Sequence, residues 1–262
     1  MRTRENPSTS VERAAAVLDA IGARVHGMTN AEVSRALKIP KSSASYILRA
    51  LEKSGYLRKD EHKYRLGLKL LSLRHTALDG LNVREVAIPH LRSLADRLKQ
   101  TTHLAILDGA DAVYVEKVDS PGFIKMDTWI GRRIDVHSTS VGKVLTAYLP
   151  EDIARSMAEA KPLRRHTEFT ITTVTGFLSE LEKVRRNGYA VDDEENTLGL
   201  RCVAAPVFGA EGNVEASVGV SGIGTQLTHN DIPRVATEVI QTALRISRSL
   251  GWLGRSSVAR AA

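Results

Sequence analysis

A single cysteine, Cys202, stands among 262 residues. That excludes intrachain disulfides and every multi-cysteine zinc cluster. No run of about 18 apolar residues occurs, and Met1 to Ser10 is polar and basic with no apolar segment behind it. Neither a membrane-spanning helix nor a secretory leader is therefore expected, and a cytoplasmic location is. The 19 glycines and 8 prolines are near average usage, which sets aside collagen-like and low-complexity chains. Alternation of strand, helix and strand is also missing, so a doubly wound nucleotide-binding sheet is not expected, and no cofactor or metal is implied. What remains is 42% apolar and 26% charged, the make-up of a globular protein with room for one large domain or two ordinary ones.

The net charge of +7 is unevenly placed. Residues 1–80 hold fifteen Lys and Arg against eight Asp and Glu, and the other 182 residues hold 22 of each sign. The whole excess lies in the first third, which points to a polyanion-binding module joined to a neutral body.

Within that third, Thr9 and Glu12 have the spacing of a capping box, and Val11, Ala14, Leu18 and Ile21 follow at helical intervals up to Gly22. Thr29 and Glu32 repeat the start signal for a helix Asn30 to Leu37, which must end before Pro40. A third helix, Lys41 to Ser54, puts Ala44, Ile47, Leu48 and Leu51 on one face and is stopped by Gly55. Two short helices joined by a tight turn form a helix-turn-helix whose second member is the recognition helix. Tyr56 to Gly67 reads as a hairpin around Asp60-Glu61-His62, hence a wing. Lys41, Ser42, Ser43, Ser45, Tyr46 and Arg49 are placed to reach a duplex groove. Arg58, Lys59, Lys63 and Arg65 are placed to meet phosphates. One basic helix alone is usually a solvated face; three capped helices, a wing and the localised charge together point to double-stranded DNA.

Leucine-rich residues 66–74 continue as a linker helix toward Asp79-Gly80, with leucines suited either to a dimer contact or to packing on the winged fold. Val83 to Gln100 has helical periodicity. His103 to Leu107 and Ala112 to Val118 are strands meeting at Asp108-Gly109, Cys202 to Phe208 and Val214 to Ser221 form another hairpin, and Asp231 to Leu250 is a closing amphipathic helix. Antiparallel hairpins with helices around them give an α+β domain. The expected division is a tail at 1–8, a winged helix-turn-helix at 9–67, a linker helix at 68–81, a sheet domain at 82–252 and a tail at 253–262.

Gly188-Tyr189-Ala190-Val191-Asp192-Asp193-Glu194-Glu195, followed by Leu198-Gly199-Leu200-Arg201-Cys202-Val203-Ala204-Ala205-Pro206-Val207, resembles the signature of the IclR family of bacterial transcriptional regulators. Val136 to Lys143, Leu181 to Asn187 and Tyr64-Arg65-Leu66-Gly67 extend the likeness over residues 8–250. The resemblance implies a GAF-like effector domain and homodimers or dimers of dimers on palindromic operators. A repressor of a catabolic operon that senses a small organic acid is the role it implies. The family's ligand-contacting positions correspond to Met126, Ile134, Ser140, Val141, Asp192, Leu200, Cys202, Gly219 and Ser221. Three departures stand out. Tyr46 replaces an arginine common in the recognition helix, Gly219 replaces a serine of some relatives, and Ser140 stands where some have glycine.

Ser138 to Gly142 precedes an expected helix Lys143 to Tyr148, so free N–H groups there can hold a carboxylate; the simpler account has Ser140 merely capping that helix. By ordinary residue behaviour the acidic run 192–195 would be a solvated turn, Cys202 a small buried hydrophobe and His137 a structural histidine. Trp129 with Lys125, Arg132 and Arg133 could close over an anion or simply pack. Three rival uses remain: a nucleophile at Cys202 or Ser140 with His137 as base, which no motif marks; control of DNA binding by a protein partner; and control by a carboxylate effector.

Overall fold

The computed structural model describes residues 9–73, 82–120 and 126–254. The chain divides into two compact units, Met1–Gly80 and Leu81–Ala262.

In the first unit, α1 (Ser10–Gly22), α2 (Asn30–Leu37) and α3 (Lys41–Lys53) start where the signals place them. Both capping boxes are complete: the Thr9 and Thr29 hydroxyls accept the N–H of Glu12 and Glu32, whose carboxylates accept the cap N–H in return. Lys38 ends α2 in the left-handed region at φ 53°, and Pro40 opens α3. The wing is β1 (Leu57–Asp60) paired antiparallel with β2 (Lys63–Leu66), and Met28 bridges Tyr64 as a short third strand. Gly27 makes that bridge possible, because a Cβ there would lie 2.4 Å from the Tyr64 carbonyl oxygen. Val17, Ile21, Val33, Leu37, Leu48, Leu57 and Tyr64 form the core.

Residues 69–73 are helical, the first turn of the expected linker; the rest of it lies outside the described residues. Leu68, Leu71 and Leu73 are exposed, so these three leucines are not packed on the winged fold. The tail expected at 1–8 also lies outside, as does that at 253–262 apart from Leu253 and Gly254.

The second unit opens with α4 (Asn82–Leu98) and builds a six-stranded antiparallel sheet from β3 (Thr101–Asp108), β4 (Asp111–Val118), β5 (Arg133–Asp135), β6 (Ala190–Asp193), β7 (Leu200–Phe208) and β8 (Val214–Ile223). Strand order is β5-β4-β3-β8-β7-β6, so the two hairpins legible in the sequence form its centre. The short edge strands β5 and β6 and the helix α6 (Glu151–Ala160) were not expected. Helix α4 and the closing α8 (Ile232–Ser249) cover one face, while α5 (Ser140–Ala147) and α7 (Val174–Asn187) cover the other. The fold is α+β, and no described helix is long and apolar enough to cross a membrane.

One boundary needs correction. Helix α5 starts at Ser140, three residues before the expected Lys143, and its cap is Thr139, whose hydroxyl accepts from the Gly142 N–H at 3.3 Å. A Cβ at residue 142 would lie 2.4 Å from Val136 Cα, so glycine lets the incoming chain pass tightly under the first turn. That tight entry draws the helix start upstream of the apolar run.

Candidate functional site

Each unit presents one surface. On α3, Ala44, Ile47 and Leu48 are buried, while Ser42, Ser45, Tyr46 and Arg49 recur at the same i, i+3, i+4, i+7 spacing two residues out of phase. This stripe faces away from the core: Tyr46 is 74% exposed, Lys41, Ser42 and Arg49 are exposed, and Ser43 and Ser45 are half-buried. The Arg49 Nε donates to the Ser45 carbonyl at 3.4 Å, leaving the end of its guanidinium at the surface.

The wing does not present its four cations alike. Register places Arg58 opposite Arg65 and Asp60 opposite Lys63 on one side, with Leu57, Lys59, Tyr64 and Leu66 on the other. Lys59 lies 5.8 Å over the Tyr64 ring, and Arg65 pairs with Asp60 at 3.3 Å. Like charges directly opposite each other destabilise a ribbon, so the Arg58/Arg65 pair costs stability that Asp60 partly offsets and an external anion would offset further.

In the second unit a small cavity lies between the sheet and the start of α5. Its floor contains one cross-strand row, Asp192 on β6 opposite Cys202 on β7 opposite Ser221 on β8. The adjoining row sets His103 on β3 opposite Gly219. The walls come from Ser140 and Val141 on α5, Leu200 on β7, and Met126 and Thr128. All the expected effector positions except Ile134 therefore converge here. Ile134 instead packs against the apolar cluster of α5 and α7.

His103, Tyr114, Thr128, Thr139, Asn196 and Thr197 also line the cavity and were not singled out from sequence. Register brings the first two in: β3 and β4 pair with a bulge between Leu104 and Ala105, which no hydrophobic pattern discloses. Gly219 has a packing role, since a Cβ there would lie 2.7 Å from Val141 Cγ1. Its bare backbone lets α5 rest on the sheet.

Among the described residues, the polar groups are arranged without a cation at the wall. His103 stacks on Tyr114 with ring centroids 4.5 Å apart and bonds through Nε2 to the Thr128 hydroxyl at 2.8 Å. Burial, helped by nearby Lys117, holds its imidazole down at about 3, hence neutral. Lys117 is itself occupied: Nζ donates to the carbonyls of Met126 and Thr128 and pairs with Asp119. Asp192 Oδ1 accepts the N–H of Glu195 at 2.9 Å and of Asn196 at 3.2 Å, yet burial pushes its carboxyl up to about 7. Burial and the Asp192 carboxyl push the Cys202 thiol up, and burial raises the Tyr114 phenol.

The acidic run is not the expected solvated turn. Asp192 and Glu195 are buried, Asp193 holds Arg201 at 2.7 Å, and the Thr167 and Thr170 hydroxyls donate to the Glu194 and Glu195 carbonyls. Beneath the cavity, fully buried Lys143 of α5 donates to Glu195 Oε1 at 2.5 Å, to the Val191 carbonyl at 2.9 Å and to Glu180 at 3.4 Å. A buried ammonium needs such a complete set of acceptors. His137 is the structural histidine expected, its Nε2 bonded to the Arg164 carbonyl at 2.9 Å. It does not line the cavity that Cys202 and Ser140 share, and no hydrogen bond joins it to either among the described residues. Trp129 stacks under Arg132 at 4.9 Å and Arg133 is held by Asp108 and Asp111, so neither closes over the cavity; Lys125 lies outside the described residues.

Comparison with known proteins finds relatives along nearly the whole chain. Residues 10–61 match the IclR helix-turn-helix domain and residues 75–248 match the bacterial transcriptional regulator IclR C-terminal domain. The Escherichia coli regulators XynR and KdgR are each 34% identical; the alignments span 93% of this chain, 97% of XynR and 93% of KdgR. The Thermotoga maritima IclR structure is 32% identical, with a TM-score of 0.78 over 93% of this chain and 99% of that one. An IclR homologue from Microbacterium hydrocarbonoxydans, solved with 4-hydroxybenzoate, is 25% identical with a TM-score of 0.80 over 92% and 99%. A helix-turn-helix with an outward stripe, a sheet domain with a cavity over its floor and matches along nearly the whole length leave no place for the nucleophile reading: the chain belongs to the IclR family of bacterial transcriptional regulators, DNA-binding proteins governed by an effector domain.

Proposed function

We propose that this regulator is a repressor of a catabolic operon, released by a small organic acid bound in the cavity over Asp192, Cys202 and Ser221. The outward stripe of α3, joined to a wing that sets two arginines opposite each other, is the observation that carries the DNA half. In this reading residues 9–67 grip DNA through Lys41, Ser42, Ser43, Ser45, Tyr46 and Arg49, with Arg58, Lys59, Lys63 and Arg65 on phosphates. Residues 68–81 link, with exposed leucines suited to a homodimer or dimer of dimers on a palindromic operator, and 82–252 sense the acid. Met126, Ser140, Val141, Asp192, Leu200, Cys202, Gly219 and Ser221 form the contact set, with Ile134 acting from behind through packing. The homologue bound to 4-hydroxybenzoate supports an acid as ligand. The acid acts by binding two conformations of the protein unequally, since only that difference shifts DNA occupancy.

Gel-shift titration against its own upstream DNA at graded salt tests the DNA half. Affinity should fall steeply with salt, and Arg58→Ala with Arg65→Ala should reduce the log–log slope by about 2. Affinity indifferent to both overturns it. Thermal shifts across a carboxylate panel separate acid control from control by a protein partner.

A further inference from the structure

We propose that Asp192 Oδ2 carries a proton in the liganded protein and donates it to an acceptor on the bound acid, so that a singly charged carboxylate enters with one proton and dicarboxylates are refused. This rests on the reading of the cavity as an organic-acid site. The geometry supplies donors at one end only. At the start of α5 the N–H groups of Ser140 and Val141 precede the first intrahelical bonds. The Ser140 hydroxyl, on a residue 2% exposed, makes no hydrogen bond among the described residues and lines the cavity. A carboxylate seated there is held by neutral donors and the helix dipole.

The other end is a carboxyl group that no cation matches among the described residues. No Lys or Arg is among the described residues at the wall. Among the described residues, the charged and titratable neighbours of Asp192 are already engaged or neutral. From α5, Lys143 is committed to Glu195, Glu180 of α7 and the Val191 carbonyl. From β7, Cys202 offers a thiol within hydrogen-bond reach and Arg201 is held by Asp193. From β3 and β4, His103 and Tyr114 face the cavity as neutral rings. Glu195 repels a charge on Asp192 and lies outside the wall. Both backbone N–H bonds fall on Oδ1, which leaves Oδ2 as the oxygen that can carry hydrogen. An anion arriving in the same cavity adds a like charge, and the pair relieves it by taking a proton from solvent. The proton balance is plain: one proton leaves the buffer and the O–H bond forms at Asp192, with no other bond made or broken.

Isothermal titration calorimetry of the full-length protein in buffers of differing ionisation enthalpy reads that proton directly. The probes are acetate, pyruvate, gluconate and 4-hydroxybenzoate as monocarboxylates and succinate as a dicarboxylate. For a monocarboxylate that binds, uptake should rise from near zero at about pH 6 to nearly one at about pH 8, with Kd weakening about tenfold per pH unit above neutrality. Succinate should bind at least about tenfold more weakly than the best monocarboxylate. Asp192→Asn, whose amide can neither ionise nor strand the two N–H donors, should lose the uptake and the pH dependence together. Binding without uptake in the wild type, uptake that persists in Asp192→Asn, or succinate binding as tightly as the best monocarboxylate overturns the inference alone. Failure of every acid to bind a folded, DNA-binding protein overturns the organic-acid reading beneath it.

Discussion

Cys202 shows how much one residue's setting decides. In the sequence it is a lone thiol in an apolar strand run; in the fold it sits between Asp192 and Ser221 on the cavity floor. Burial and the neighbouring carboxyl push the thiol up, so thiolate is scarce and the group is a wall, not a nucleophile. Alkylation of the native protein by iodoacetamide at neutral pH should be at least about a hundredfold slower than of the unfolded chain. A fast native reaction would contradict this setting. His103 gives a second expectation with a definite sign. Its imidazole is held at about 3 when folded against an ordinary 6.5. The unfolded chain therefore binds the proton first, and stability that is complete above pH 6.5 is lost as pH falls toward 3. His103→Gln should flatten that acid limb in urea titrations. The cavity-lining residues legible in advance came through likeness to a family motif, because burial and pairing partners, which give Asp192 and His103 their chemistry, leave no periodicity to read.

Elements were more legible than residues where they carry their own start and stop signals. The helix-turn-helix follows from two capping boxes, a proline and apolar stripes, all local features. The central hairpins follow from turn pairs such as Asp108-Gly109, which lies at a tight connection with Gly109 at φ 62°. Strands β5 and β6 are three and four residues long and exist because a neighbour pairs with them, so no local pattern marks them. Helix α5 was misplaced for a related reason: Thr139 caps it only because Gly142 allows the chain to turn under it. Removing that cap with Thr139→Ala should cost about 1 kcal/mol. Gly142→Ala, which drives a Cβ into the Val136 backbone, should cost about 1–3 kcal/mol. Chemical denaturation measures both, and a neutral Gly142→Ala would show the close approach to be illusory.

At the scale of the whole molecule, the division of charge was plain from the first count and the division of structure follows it. The unit Met1–Gly80 holds the entire positive excess, and Leu81–Ala262 is neutral. Residues 82–254 produced alone should pass through a heparin column at low salt that retains the full chain. Retention of that fragment would mean that the sensor also binds polyanions.

The glycine at 219 has a consequence for how such sensors diversify. It acts as a shim of zero thickness between α5 and the sheet, so the side chain at this position sets the headroom above the floor. Gly219→Ser should raise the helix by the width of its hydroxymethyl group, shifting preference toward bulkier effectors while leaving DNA binding intact. A change of signal would then need one codon.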